Sequence, residues 1–314
     1  MIERIVGRHE GNQRLDRWLR KTFVYAPLSL LFSVLRKKKI RINGKPGKAQ
    51  TFVQEGDVLH IYENLPLEQA PSLENRGWNS QVPAVDLDLV LRCDDFVIVN
   101  KPAGMPSQPG SGQALGSSLV EQLWIWARNE SLDFKPALVH RLDQETSGLI
   151  VAALTGTAVR GLNARIRNHQ VRKEYLALVS GHLKKSQGTI HLALERNDSA
   201  QGAKMQVGQG KEAITHYRVE RQIGEHSLVR IRLETGRMHQ IRTHFAHIGH
   251  PLLGDGRYGD FSLNRSWAKE TGIQRLFLHS TLLEFEWNGE KILIEQELPE
   301  DLEGVTDGRN SLLS

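Results

Sequence analysis

The sequence predicts an α+β protein, with a large mixed or antiparallel sheet in its main body and a small α/β module in front of it. Short alternating or apolar runs outnumber helical stretches, and they lack the regular βαβ alternation that builds a parallel sheet. The chain has 314 residues, 39% hydrophobic and 25% charged, enough for one large domain or two unequal ones. Charge is also uneven: residues 1–60 carry 13 Lys or Arg against 5 Asp or Glu, whereas the whole chain is only +5. A basic end on a near-neutral body implies a polyanion-binding module joined to something else.

Residues 12–35 read as two helices, because Leu15, Trp18 and Leu19 share one helical face and Leu28, Leu31, Phe32 and Leu35 form a second stripe. Tyr25-Ala26-Pro27 breaks the chain between them. The basic run Arg36-Lys37-Lys38-Lys39 leads into the strand Ile40-Arg41-Ile42, an Asn43-Gly44 turn, and a last strand from Val58 to Tyr62 after Gly56-Asp57. Cations at a helix end also suit its dipole, but a second basic strand directly after them favours a phosphate-binding patch. The first domain is placed at residues 1–62, a linker at 63–86 and the main domain at 87–314.

In the main domain, strands are expected at Leu89–Leu91, Phe96–Asn100, Leu149–Ala153, Glu174–Val179, Thr189–Leu194, Ile214–Glu220, Ser227–Leu233, Phe277–Phe285 and Lys291–Gln296, with helices at Ser118–Arg128 and Thr157–Asn168. Cys93 is the one cysteine, so no internal disulfide can form, and it reads as a packing residue. No signal peptide or membrane-length apolar run is present, and a cytoplasmic protein is expected.

Chemistry concentrates in His140-Arg141-Leu142-Asp143-Gln144-Glu145-Thr146-Ser147-Gly148, ahead of the apolar run Leu149 to Ala153. An aspartate between a turn and a core strand is hard to solvate; it either caps its own turn or has work to do. Thr235-Gly236-Arg237-Met238-His239-Gln240-Ile241-Arg242 supplies donors without an acid, either as a solvated helix start or as a partner that keeps Asp143 charged. Tyr175 lies on an alternating strand, as a core tyrosine or as a platform for a base. His239, His244, His247 and His250 are close in sequence but lack a zinc-site pattern, so no metal is expected. A kinase is excluded because no glycine-rich loop accompanies His140-Arg141-Leu142-Asp143, and a Gly-x-Ser-x-Gly elbow is absent.

Arg14-Leu15-Asp16-Arg17-Trp18-Leu19, the basic run, Ile40 to Gly44 and Glu55-Gly56-Asp57 resemble the small RNA-binding domain of the ribosomal-protein S-four type. The rest resembles the RluA-type pseudouridine synthases, through Asn100-Lys101-Pro102-Ala103-Gly104, His140 to Gly148, Lys173 to Leu178, Gly236-Arg237 through Arg242, Gly249-His250-Pro251 and Leu276 to His279. The sequence departs from that family at Gln144-Glu145, where an Arg-Asp pair is common, and at Leu154-Thr155-Gly156.

The resemblance implies isomerisation of uridine in RNA without metal or nucleotide. Asp143 would be essential, Arg242 its partner, and Tyr175 the residue that contacts the uracil and assists removal of its C5 proton. Leu278 would wall the pocket, Arg141 would grip the flipped nucleotide, and His140, Arg237 and Lys101 would stand among the RNA contacts. Arg14, Arg17, Lys37, Lys38, Lys39 and Arg41 would hold RNA from the first domain. Ribosomal RNA of the large subunit is the favoured partner, with transfer RNA second, and a monomer is the default. The competing classes are a non-catalytic RNA-binding assembly factor on the same fold and a hydrolase that would release uracil or cut RNA.

Overall fold

The computed structural model describes residues 2–7, 10–23, 28–63, 82–110, 113–132, 134–199 and 202–306. The chain divides into two compact units, Met1–Pro83 and Ala84–Ser314. The expected break at Tyr25-Ala26-Pro27 and most of the expected linker (64–81) lie outside the described residues.

The first unit contains β1 (Ile2–Ile5), β2 (Gln13–Arg14), α1 (Leu15–Thr22), α2 (Leu28–Arg36), β3 (Ile40–Ile42), β4 (Lys45–Pro46), β5 (Phe52–Val53) and β6 (Val58–Ile61). An antiparallel sheet of order β1-β6-β3-β4 packs under the helices. Leu15, Trp18 and Leu19 of α1 and Leu31, Val34 and Leu35 of α2 bury against Ile40, Leu59 and Ile61. The alternation of Ile40-Arg41-Ile42 therefore sends both isoleucines inward and Arg41 outward, over the ring of Tyr62 at 5.6 Å.

The second unit comprises β7 (Leu89–Arg92), β8 (Phe96–Lys101), α3 (Leu119–Asn129), β9 (Ala137–Leu138), β10 (Ser147–Ala153), α4 (Gly156–Arg167), β11 (Arg172–Ser180), β12 (Gln187–His191), β13 (Leu194–Ser199), β14 (Gly202–Val207), β15 (Ile214–Ile223), β16 (His226–Leu233), α5 (Gln240–His247), α6 (Phe261–Thr271), β17 (Leu278–Trp287), β18 (Glu290–Glu295) and α7 (Glu300–Thr306). Its main sheet runs β12-β15-β16-β11-β17-β10-β8-β7, with β18 on β17 and β9 on β10. Pairings are antiparallel except β10 with β17, where Ser147 stands opposite His279 and Gly148 opposite Ser280.

Both faces of the sheet are covered. On one, Leu119 and Leu123 of α3 and Ile241 and Phe245 of α5 pack against Val97, Ile150, Ala177 and Val229. On the other, Ala158 and Leu162 of α4 join Phe96, Leu149, Leu283 and Phe285, while α6 and α7 contribute Trp267, Leu302 and Val305 against Leu178 and Phe277. Side-chain caps set the helix starts. The Glu121 carboxylate accepts from the Ser118 N–H and hydroxyl at α3, and Thr155 Oγ1 accepts from Ala158 at α4.

The β10–β17 crossing is tight. Gly148 has φ +108°, and a Cβ there would lie 2.2 Å from the Ser280 carbonyl oxygen. Gly148→Ala is expected to cost about 3 kcal/mol or more, measured as a lower urea midpoint at unchanged slope.

The structure departs from the sequence reading at several points. Cys93 is exposed in the β7–β8 turn, where its thiol donates to the Phe96 carbonyl, so it is not a packing residue. The expected strand Thr189–Leu194 is two, β12 and β13, because the chain turns from the main sheet into a separate β13–β14 hairpin. β1, α6 and α7 were not expected at all. None of the described helices is long and apolar enough to cross a membrane.

Candidate active site

Asp143 sits in the loop that feeds β10, its side chain 18% exposed. The Thr146 N–H closes the turn on the Asp143 backbone carbonyl at 3.1 Å, so the carboxylate does not cap its own turn. Instead Oδ2 faces Arg242 Nη1 at 3.5 Å and His239 Nε2 at 3.7 Å. It accepts no hydrogen bond among the described residues, which leaves its lone pairs open.

Arg242 is held chiefly by another acid. Its Nε and Nη2 donate to the two oxygens of Asp255 at 2.8 and 2.7 Å, and Nη2 also reaches Glu145 at 3.2 Å. Asp255 is fully buried and takes the Arg257 and Tyr258 N–H groups as well. Burial opposes charge on Arg242, but hydrogen bonding and the charges of Asp255, Asp143 and Glu145 outweigh it and hold the guanidinium above its ordinary range. Burial by itself would raise the Asp255 carboxyl, yet the Arg242 contacts and two amides hold it below 3.8. The predicted Arg242–Asp143 proximity is present, but the bidentate partner is Asp255, which the sequence reading missed. Its only signal was an aspartate set between glycines in Gly254-Asp255-Gly256.

Glu145, noted as a departure from the family pattern, is the third acid on Arg242. His239 starts α5 in the left-handed region at φ 51°, and its Nδ1 meets the Tyr258 hydroxyl at 2.8 Å. Burial pushes its imidazole down, opposed by Asp143. The Tyr258 ring in turn lies 5.3 Å from the Arg242 guanidinium. Two of the other neighbouring histidines are engaged elsewhere: His244 bonds Thr215 and the Leu192 carbonyl, and His250 the Ser180 carbonyl.

Asp143, His239 and Arg242 border a cavity of about 540 Å³. His140, Arg141, Asp143, Tyr175, Arg237, Arg242 and Leu278, all predicted from the sequence, line it together. Strand alternation explains Tyr175: it shares a face with Ala177 and Val179, and all three join the same core. Burial and the Asp143 charge both push its phenol up, against a hydrogen bond with Ser280, so the hydroxyl keeps its proton. Arg141 is exposed at the rim. Arg237 spends its Nε–H on the Glu212 carbonyl at 2.9 Å. His140 accepts the Val151 N–H on Nε2 at 3.1 Å, and burial pushes its pKa down to about 3, so the ring is neutral.

Lys101 does not belong with the RNA contacts. It is fully buried, and its ammonium donates to the carbonyls of Pro102, Met105 and Gln144 at 2.8, 2.8 and 3.2 Å. Three acceptors use all three N–H groups of the charged form. Burial pulls its pKa down to about 7, with the Asp143 charge opposing. Lys101 thus ties the loop after β8 to the turn that carries Asp143. In the first unit, Arg14, Arg17, Lys37, Lys38 and Arg41 are exposed, whereas Lys39 is paired with Glu63 at 2.6 Å and Arg14 with Asp16 at 2.8 Å.

A wide sheet with one parallel crossing carries an aspartate beside an arginine in a cavity also lined by a tyrosine, the arrangement of a candidate active site. The chain belongs to the RNA pseudouridylate synthase family, whose description matches residues 95–247. It is 35% identical over 297 residues to ribosomal large subunit pseudouridine synthase C of Salmonella typhi, covering 93% of this chain and 91% of that protein. The same-named protein of Haemophilus influenzae is 32% identical over 304 residues, covering 96% and 92%. Among solved structures, human RNA pseudouridylate synthase domain containing 1 superposes with a TM-score of 0.57 at 27% identity, covering 70% of this chain and 87% of that one.

Proposed function

We propose that this enzyme isomerises uridines of large-subunit ribosomal RNA to pseudouridine, with Asp143 as its essential carboxylate. The observation that carries this reading is the Asp143 carboxylate itself: paired by charge with Arg242, accepting no hydrogen bond among the described residues, and open to a cavity that also presents Tyr175 and Leu278. The named relatives supply the substrate class. The first unit is read as the S-four-type RNA-binding domain, its exposed Arg17, Lys37, Lys38 and Arg41 gripping phosphate, and the protein as a cytoplasmic monomer. Transfer RNA is the second substrate to test.

In the reaction the bond from N1 to the sugar breaks, the uracil turns, C5 joins the sugar, the C5 proton leaves and N1 takes up a proton. A stacked uridine cannot enter the cavity, so it must be flipped out at a cost of a few kcal/mol, offset by the basic first unit. Attack at the sugar, attack at the ring and proton abstraction all begin from the open lone pairs of Asp143. The Tyr175 phenol, neutral and hydrogen-bonded to Ser280, can pass a proton on but does not stand as phenolate. Tyr175→Phe is therefore expected to bind RNA normally and to slow isomerisation by about 10²–10⁴-fold, followed by tritium release under single turnover.

The deciding experiment incubates the protein with ribosomal RNA transcripts tritiated at uracil C5, with no added metal or nucleotide. Release of tritium to water from large-subunit RNA is the expected result. Salt-sensitive binding with no release from ribosomal or transfer RNA would replace the proposal with a non-catalytic assembly factor.

A further inference from the structure

The cavity contains a cation that the chemistry above does not use. Lys173 lies two residues before Tyr175 on β11, so both side chains leave the same face of the strand, and both line the cavity. The lysine is half-buried, and burial lowers its pKa. Among the described residues it has no hydrogen-bond or ion-pair partner. Its Nζ lies beside Gly236, where a Cβ would be only 3.6 Å away.

Two further observations place Lys173 along the cavity. Ser147, where the Asp143 loop joins β10, stands opposite His279, which pairs with Leu176, whereas Tyr175 pairs with Ser280 and Lys173 with Leu283, further along β17 from that end. Lys173 thus marks the end of the cavity away from the carboxylate. Two other cations of the lining differ in depth: Arg141 and Arg167 are exposed at the rim, where a sugar–phosphate backbone would stay.

We propose that Lys173 is the specificity-determining residue of this cavity, donating from its ammonium to O4 of a flipped uracil. The inference rests on the uridine-isomerase reading above. Within a uracil, C4 lies across the ring from N1, so O4 is the atom that points away from the sugar. With the sugar end at Asp143 and the ring against Tyr175, O4 falls toward Lys173. Cytosine presents an amino group there, and two donors facing each other repel. The product keeps the contact. When C5 takes the place of N1 at the sugar, the atom across the ring is C2, and O2 stands where O4 stood. One ammonium therefore serves the ring before and after it turns.

The test uses the full chain and free small molecules, so it needs neither catalysis nor a known target position. Uridine, cytidine and ribose 5-phosphate are titrated into wild type, Lys173→Met and Lys173→Gln, followed by NMR shifts. Wild type is expected to prefer uridine over cytidine by about tenfold or more, the yield of one charge-assisted hydrogen bond. Lys173→Met should erase that preference by weakening uridine alone, with ribose 5-phosphate unaffected. Lys173→Gln, whose amide can donate or accept, should erase it too. Weakened ribose 5-phosphate binding with the base preference intact would overturn the assignment in favour of a phosphate contact. An unchanged preference in both variants, or no nucleoside binding to wild type, would overturn it as well. If uridine preference depends on Lys173 but no tritium is released from any RNA, the isomerase reading fails and this one stands.

Discussion

Asp143→Asn is expected to bind RNA with wild-type affinity and to form no measurable pseudouridine, a loss of at least about 10⁴-fold. The substitution keeps the shape of the side chain and removes only the charge and one acceptor. Its structural cost should be small, because the carboxylate accepts no hydrogen bond from the described residues and Arg242 retains Asp255 and Glu145. The thermal midpoint should therefore stay close to that of wild type while tritium release disappears. Pseudouridine formed by the variant at a tenth of the normal rate would remove Asp143 from the chemistry. A collapse in stability would mean that the carboxylate supports the loop instead.

The second large effect falls on a residue outside the cavity wall. Asp255→Ala leaves Arg242, which is 4% exposed and charged well beyond neutral pH, without its bidentate partner. Breaking a buried pair by deleting one member costs about 3–5 kcal/mol, and the Arg257 and Tyr258 amides lose their acceptor too. Both stability and isomerisation should fall, because Arg242 would no longer be fixed beside Asp143. The pH dependence gives an independent check. The folded Asp255 carboxyl sits below 3.8, so its stabilisation is complete above that pH and is lost as pH falls through the folded value. Asp255→Asn should flatten that acid limb in urea melts run between pH 2 and pH 5. An unchanged limb would assign acid unfolding to other carboxylates.

Much of this architecture could be read from residue order, for identifiable reasons. Ile40–Ile42 carries period-two alternation, Arg172–Ser180 a continuous apolar run, and α3 and α4 carry both apolar stripes and capping residues. The helices α6 and α7 escaped because their signals are weaker: α6 buries only Trp267, and α7 has just seven residues. Within the site, the motifs found the residues that meet at the cavity. What they could not show was how charges are divided. Arg242 is shared among three acids from two segments, and only the fold reveals that the tightest is Asp255. Lys101 misled for a similar reason. A lysine in a motif suggests a phosphate, but this one is buried on three carbonyls.

The parallel pairing of β10 with β17 has a consequence for how the chain is made. β17 lies between β11 and β10, although it follows β11 by about a hundred residues in sequence. Until residues 278–287 leave the ribosome, the strands on either side have already been synthesised and present two unpaired edges. The centre of the sheet is thus its last seam to close, an ordering with high contact order and exposure to edge-to-edge association. Leu278 begins that strand and Ser280, the partner of Tyr175, follows it. A nascent chain can therefore hold every residue of the Asp143 loop and still lack one wall of the pocket.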